Sequence, residues 1–144
     1  MTYDKIDRHT GNKFPKNLSF ANGGTHIGIF LAWIINNDLL NEMHLENSKE
    51  AVNKVKSKII TGRDFLIRQC ESKFSSEDLN EMGNKFATFY YADQSGYGKY
   101  IDDYADIFSQ YESLYHVEDN WKNYGLMATI ITRDFLHWKK NKLS

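Results

Sequence analysis

Apolar positions recur at helical spacing along most of this chain, and the clearest instance opens at Thr25. Ile27, Phe30, Leu31, Ile34 and Ile35 fall at i, i+3, i+4, i+7 and i+8, one face of an α-helix. Ala32 and Trp33 occupy other faces, so this helix reads as apolar nearly all round and therefore central, with Thr25 as its N-cap. The polar run Asn36–Asp38 breaks it, and Leu39, Leu40 and Met43 begin another short turn. Ser48 is placed to cap a second helix with Val52, Val55 and Ile59 as a narrow stripe, ended by Gly62 as a C-cap. A short third helix runs from Asp64 through Phe65, Leu66 and Ile67 to about Cys70.

The stretch from Phe74 to Tyr91 is the richest in polar and aromatic side chains together. Ser75 and Asp78 stand in capping-box spacing, with Asp in place of the usual Glu or Gln. Leu79, Met82, Phe86, and Phe89 or Tyr90 follow at helical spacing. Glu77 and Asp78 sit in the first turn, where the helix dipole favours negative charge. Gly83 inside this helix costs roughly 1 kcal/mol against Ala. It predicts a close backbone approach, by another helix or by a ligand. Residues 92–98 read as a turn, Tyr100 to Phe108 as a helix, and Tyr111 to Asp119 as a loop with aromatic anchors. Asp119 or Asn120 caps a last helix carrying Trp121, Tyr124, Met127 or Ala128, Ile131, Phe135 and Trp138. Its end is basic (Lys139, Lys140, Lys142), which suits the negative end of the dipole.

Strand signals are weak, because no sustained alternation of β-branched and polar residues appears. The predicted fold is all-α or mostly α, a compact bundle of five to six short helices over residues 25–144. Residues 1–24 are expected to form an irregular N-terminal arm, with Pro15 and the Gly23–Gly24 breaker, pinned by Tyr3, Phe14 and Phe20.

Composition narrows the class. A chain of 144 residues is one domain, and 41% hydrophobic with 15% aromatic content gives a core dominated by rings. Net charge is -1 with no basic block, so there is no electrostatic footprint for nucleic acid. The single cysteine, Cys70, excludes an intrachain disulfide, and its place at the end of an apolar helix reads as a buried structural thiol. The longest apolar run, Ile27 to Ile35, is far short of the roughly 20 residues of a spanning helix. The N-terminus lacks an apolar signal region. A soluble, cytoplasmic protein without membrane association is expected.

Candidate chemistry is sparse. The five histidines (His9, His26, His44, His116, His137) form no short-range pair, so neither a metal nor a cofactor is expected. Phosphate-binding glycine loops, nucleophile elbows and zinc-protease motifs are missing, which lowers an enzymatic reading without excluding a new one. Two constellations remain. His26, Asp78, Asn80, Asn84 and Tyr90 would line a small polar pocket if the central helix packs on the Ser75–Tyr91 helix across Gly83. Capping and core packing are the plainer roles for the same residues. Tyr91, Tyr97, Asp102, Asp103, Glu112, Tyr115 and Glu118 would form an acidic and aromatic surface, with tyrosines as anchors and carboxylates as steering charge. Such a surface suits a basic protein partner, for instance a cationic toxin domain. The plainer role is that the tyrosines plug gaps between short helices.

A further indication comes from an ordered set of motifs. It begins with Thr25, His26, Ile27, Gly28 and Phe30 to Trp33, and continues through Phe65 to Cys70, Lys73 and Phe74. Asp78 to Glu81, Gly83, Asn84, Phe86, Tyr90 and Tyr91 follow, then Tyr100 to Tyr104, Tyr115 to Trp121 with Tyr124, and Phe135 to Trp138. This set resembles a family of small uncharacterised bacterial proteins over nearly the whole chain from about Thr25. Its members look like companions of polymorphic or contact-delivered toxins. The resemblance therefore implies a non-catalytic immunity protein that neutralises a toxin domain, and it supplies no binding residues of its own.

Overall fold

The computed structural model describes residues 1–92 and 99–143. Among these, seven α-helices, four short 3-10 turns and one two-stranded sheet account for the regular structure. The helices are α1 (Thr25–Asn36), α2 (Glu42–Asn47), α3 (Lys49–Lys56), α4 (Gly62–Gln69), α5 (Glu81–Tyr90), α6 (Lys99–Ile107) and α7 (Trp121–Leu143). Strands β1 (Thr2–Lys5) and β2 (Lys73–Ser75) pair antiparallel. The fold is mostly α, as the periodicity predicts. No helix among the described residues is long and apolar enough to cross a membrane.

Helix α1 is the axis. Every residue from Thr25 to Ile35 is buried, because α3, α4, α7 and the turns around it cover all its faces. Its tightest neighbour is α4. A Cβ on Gly62 would lie 1.9 Å from the Gly28 carbonyl oxygen, and one on Gly28 would lie 2.4 Å from the Arg63 backbone nitrogen. Only two glycines let these backbones approach so closely. Gly62 is thus the first residue of α4 and not the C-cap of α3. The cap is Thr61, in a reciprocal capping box with Asp64.

Other local expectations shift in the same way. Thr25 is the first residue of α1 and not its cap; its hydroxyl accepts from Arg63 at 3.0 Å. The capping box of Ser75 and Asp78 forms, but it closes a single 3-10 turn, Ser76–Asp78. Helix α5 starts later, at Glu81, with Asn80 as its cap. Its face turns accordingly, so Met82 is exposed while Phe86 and Tyr90 are buried. Ile59, expected in the apolar stripe, lies beyond the end of α3 and is exposed. Gly83 does mark a close approach, and the neighbour is the Leu39 carbonyl oxygen, 2.7 Å from where a Cβ would sit. Asn120 caps α7, accepting from the Asn123 N–H at 2.8 Å.

The N-terminal arm is the largest departure. Its first residues form β1, and Tyr3, Asp4 and Ile6 are buried. A four-residue and a three-residue strand are too short to show alternation, so the pair left no periodic signal. The register skips between Thr2 and Asp4, where Thr2 faces Ser75 and Asp4 faces Phe74. Tyr3 is the extra residue of this irregularity. A bulge breaks the strict in-out alternation of a strand and re-aims side chains. Here it lets consecutive residues, Tyr3 and Asp4, both point inward.

The Gly28–Gly62 contact is the packing feature most sensitive to a single methyl group. Gly62→Ala is expected to cost about 1–3 kcal/mol or more, the range for overpacking a filled core. Urea denaturation followed by circular dichroism would measure it. Stability equal to the parent chain would show that the two helices have room to separate.

Candidate functional site

The bulge in β1 and the 3-10 turn after it (Ile6–Arg8) bring Asp4 and His9 against the N-terminal end of α1, where His26 lies. Asp4 is enclosed by donors. Its Oδ1 accepts from the Lys5 N–H at 2.8 Å and lies 2.8 Å from His9 Nε2. Its Oδ2 accepts from the Tyr91 hydroxyl at 2.6 Å and lies 3.3 Å from His26 Nε2. Burial alone would raise this carboxyl. Hydrogen bonds from His26, His9 and Tyr91 and the nearby His26 outweigh it and hold Asp4 well below the usual carboxylate range. Asp4 is therefore a buried, ionised carboxylate.

The two imidazoles meet edge to face, with ring centroids 4.4 Å apart and Nε2 atoms 3.2 Å apart. Against an ionised Asp4, each Nε2 has to carry a proton to make a hydrogen bond. Their contact with each other requires that one of them does not. No placement of protons satisfies all three sides of the triangle. His26 is fully enclosed, and burial keeps its imidazole below the ordinary value in spite of Asp4. Among the described residues its Nδ1 has no hydrogen-bond partner, and neither does the hydroxyl of Tyr104, whose ring centroid lies 6.1 Å from that of His26. His26 is fixed from the backbone side instead, where its carbonyl accepts from the Tyr100 hydroxyl.

His9 is the outward member. With Nε2 assigned the proton toward Asp4, Nδ1 accepts from the Tyr115 hydroxyl at 2.8 Å. The His9 side chain keeps 20% of its surface exposed, against 10% for Asp4 and none for His26. It opens onto a surface cleft of about 330 Å³ lined by Arg8, His9, Gly11, Asn12, Lys13, Phe14 and Tyr115. A chain of contacts thus runs from a buried carboxylate through an imidazole and a phenol to a cleft with two cationic side chains.

A second cluster joins α2, α4 and the Ser76–Asp78 turn. His44 Nε2 donates to Asp78 Oδ1 at 2.8 Å, and His44 Nδ1 lies 3.4 Å from the Ser48 hydroxyl. Cys70 Sγ is 3.9 Å from His44 Nε2. Burial and the Asp78 charge push the Cys70 thiol far above its usual value, so it stays protonated. Asp78 Oδ2 accepts from the Ser75 N–H at 2.8 Å. Each of the two clusters brings together a histidine-carboxylate set whose ligand atoms lie within 4.8 Å of one another.

The chain belongs to the family described as a domain of unknown function, DUF7832. The match spans residues 2–117. No curated protein and no solved structure matches the chain. Both histidine clusters lie inside the DUF7832 segment, whereas α7 lies outside it.

Within the DUF7832 segment, the polar pocket expected around His26, Asp78, Asn80, Asn84 and Tyr90 does not assemble. His26 belongs to the Asp4 cluster and Asp78 to the His44 cluster. Asn80 caps α5 and donates to the Asp38 carbonyl at 3.2 Å. Asn84 donates to the Ser76 and Leu79 carbonyls and accepts from the Tyr3 hydroxyl at 2.7 Å. Tyr90 is buried and donates to Asp103 Oδ2 at 2.6 Å. These are structural roles.

The acidic-aromatic surface loses its anchors. Tyr97 lies outside the described residues, and the other eight of the nine tyrosines are buried or half-buried. Tyr91 is buried against Asp4, and Tyr115 is half-buried on His9. Rings of this size gain more by covering α1 than by facing water. Asp102, Glu112 and Glu118 are exposed, and Asp103 is partly covered. Sequence reasoning missed Asp4 and His9, which sit in an arm without periodicity. Their one signal was a charged residue between Tyr3 and Ile6, both apolar and both buried.

Burial first, and then the neighbouring Asp134, push the Asp103 carboxyl up from 3.8 to about 6. Its protonated form is favoured in the folded state. That contribution is complete below 3.8 and is lost as pH rises through 6. Asp103→Asn keeps an acceptor for Tyr90 and removes the loss. Thermal melts at pH 4 and pH 7 should show the variant gaining on the parent chain at the higher pH. A difference that does not change with pH would contradict the raised carboxyl.

Proposed function

We propose that this chain is a small-ligand-binding protein whose site is the cleft beside His9, and that its ligand is anionic. The observation that carries this reading is the relay from Asp4 through His9 to Tyr115, two contacts of 2.8 Å leading to a cleft wall shared with Arg8 and Lys13. Buried ionised groups cost stability unless they are fully paired, and they concentrate at functional sites. The arrangement also supports proton transfer. A ligand O–H bonded to the Tyr115 oxygen would lose its proton as Tyr115 passes its own to His9 Nδ1, and Asp4 stabilises the resulting imidazolium. Lys13 and Arg8 attract the negative charge that orients the ligand.

Titration with inorganic phosphate and with a panel of small carboxylates and phosphate monoesters tests the reading. At least one should bind saturably with a dissociation constant of about 1 mM or tighter. The perturbed NMR signals should be those of His9, Lys13 and Tyr115, and Lys13→Glu should weaken binding several-fold. No saturable member of the panel, or perturbation elsewhere, would count against the site.

A second reading is the toxin-immunity role in the bacterial cytoplasm. The exposed carboxylates Asp102, Glu112 and Glu118 support it, as steering charge for a basic protein partner. If a cognate basic domain exists, Asp102→Lys with Glu112→Lys should slow association about tenfold or more at low salt, with less effect at high salt. Surface plasmon resonance at two ionic strengths measures this, and an unchanged association rate removes this surface.

A further inference from the structure

We propose that Asp4, His9 and His26 bind one divalent first-row transition-metal ion on the inner side of His9, behind the cleft. The inference rests on the cleft being the ligand site and names the cofactor that this site would use.

The donor set is two imidazole nitrogens and one carboxylate, which suits zinc or iron(II) with open positions for a ligand. The two Nε2 atoms are 3.2 Å apart; His9 Nε2 lies 2.8 Å from Asp4 Oδ1 and His26 Nε2 lies 3.3 Å from the other carboxylate oxygen, Oδ2, with one ligand atom from each residue within 4.8 Å of the others. Ligand atoms held at about 2.0–2.1 Å from a metal are roughly 2.8–3.0 Å apart in octahedral and roughly 3.3–3.4 Å apart in tetrahedral geometry. The side chains are therefore already near the spacing a metal demands. A central cation also resolves the proton conflict. It takes a lone pair from each Nε2 and from Asp4, and it replaces both competing protons with one positive charge. His9 then carries its proton on Nδ1 and donates it to the Tyr115 oxygen, so the metal-bound form keeps the His9–Tyr115 contact with its direction reversed and replaces the proton relay of the metal-free form. That contact orients the ring as an outer partner orients a metal-bound histidine. The way in is from the His9 side, the exposed edge of the cluster.

The experiment uses the full chain, stripped with chelator and titrated with cobalt(II) and zinc(II). One equivalent of cobalt should bind with micromolar or tighter affinity. Its visible spectrum should show nitrogen and oxygen ligands and no sulfur-to-cobalt charge transfer. His9→Gln should weaken binding at least about a hundredfold, and Tyr115→Phe, which removes only the outer partner, about tenfold. His9 is the most exposed member of the cluster, with 20% of its side-chain surface open, so His9→Gln is expected to keep its fold by circular dichroism. Asp4→Asn serves as a second variant if it does not. Cys70→Ser should change nothing. Binding that survives His9→Gln and Asp4→Asn, or that carries a sulfur band lost in Cys70→Ser, would overturn the assignment, as would no binding at all. Repeating the phosphate titration with and without metal separates this inference from the ligand reading. Phosphate binding at His9 with no bound cobalt leaves the cleft standing and removes the metal. Cobalt bound at the triangle with no anion effect keeps the metal and removes the anionic ligand.

Discussion

Helix α1 is buried on every side from Thr25 to Ile35, and most of the structure follows from what it takes to wrap it. An apolar rod of this length would be unremarkable if its first residues were apolar too. They are Thr25 and His26, and both have no exposed surface. A polar group taken out of water costs several kcal/mol unless it finds partners. The chain therefore returns to this end of α1 from several directions. Arg63 comes from α4 to the Thr25 hydroxyl, Tyr100 from α6 to the His26 carbonyl, and Asp4 and His9 from the N-terminal segment to the His26 ring.

The same wrapping explains where the aromatic residues went. Phe30 alone packs against Trp33, Phe74, Phe86, Tyr90, Tyr91 and Tyr100, all within 6.3 Å between ring centroids. Tyrosines fit here because each ring covers apolar surface while its hydroxyl reaches a polar group at the margin. Tyr91 reaches Asp4, Tyr90 reaches Asp103, and Tyr100 reaches the end of α1. Their hydroxyls became internal struts instead of partner contacts.

This shows why the fold was more legible in the sequence than the site. Helix periodicity is a local signal repeated over several turns, so α1, α5 and α7 could be read from spacing. Gly83 and the capping box of Ser75 and Asp78 were also readable, because each reflects one local geometric need. The Asp4 cluster has no such local signal. It joins residues 4, 9, 26, 91 and 115 through a bulge in a four-residue strand and a 3-10 turn. His26 and Asp78 looked like neighbours only under the assumption that α1 packs on α5 across Gly83. The neighbour at Gly83 is the Leu39 backbone, so the two residues ended in different clusters.

The two clusters contain similar residues but differ in whether their protons can be placed. In the second, His44 Nε2 donates to Asp78, Nδ1 accepts from Ser48, the other Asp78 oxygen closes a capping box, and Cys70 keeps its proton. Every strong donor there has an acceptor, as expected of a network that stabilises a core. A metal would have to break the capping box or deprotonate a thiol that burial and Asp78 hold protonated. In the first cluster no assignment of protons satisfies Asp4, His9 and His26 together, and the Nδ1 of His26 has no partner among the described residues. An unresolved buried polar contact costs a folded chain about 1–3 kcal/mol. The conflict itself, more than the mere presence of histidines, sets the Asp4 triangle apart from the second cluster.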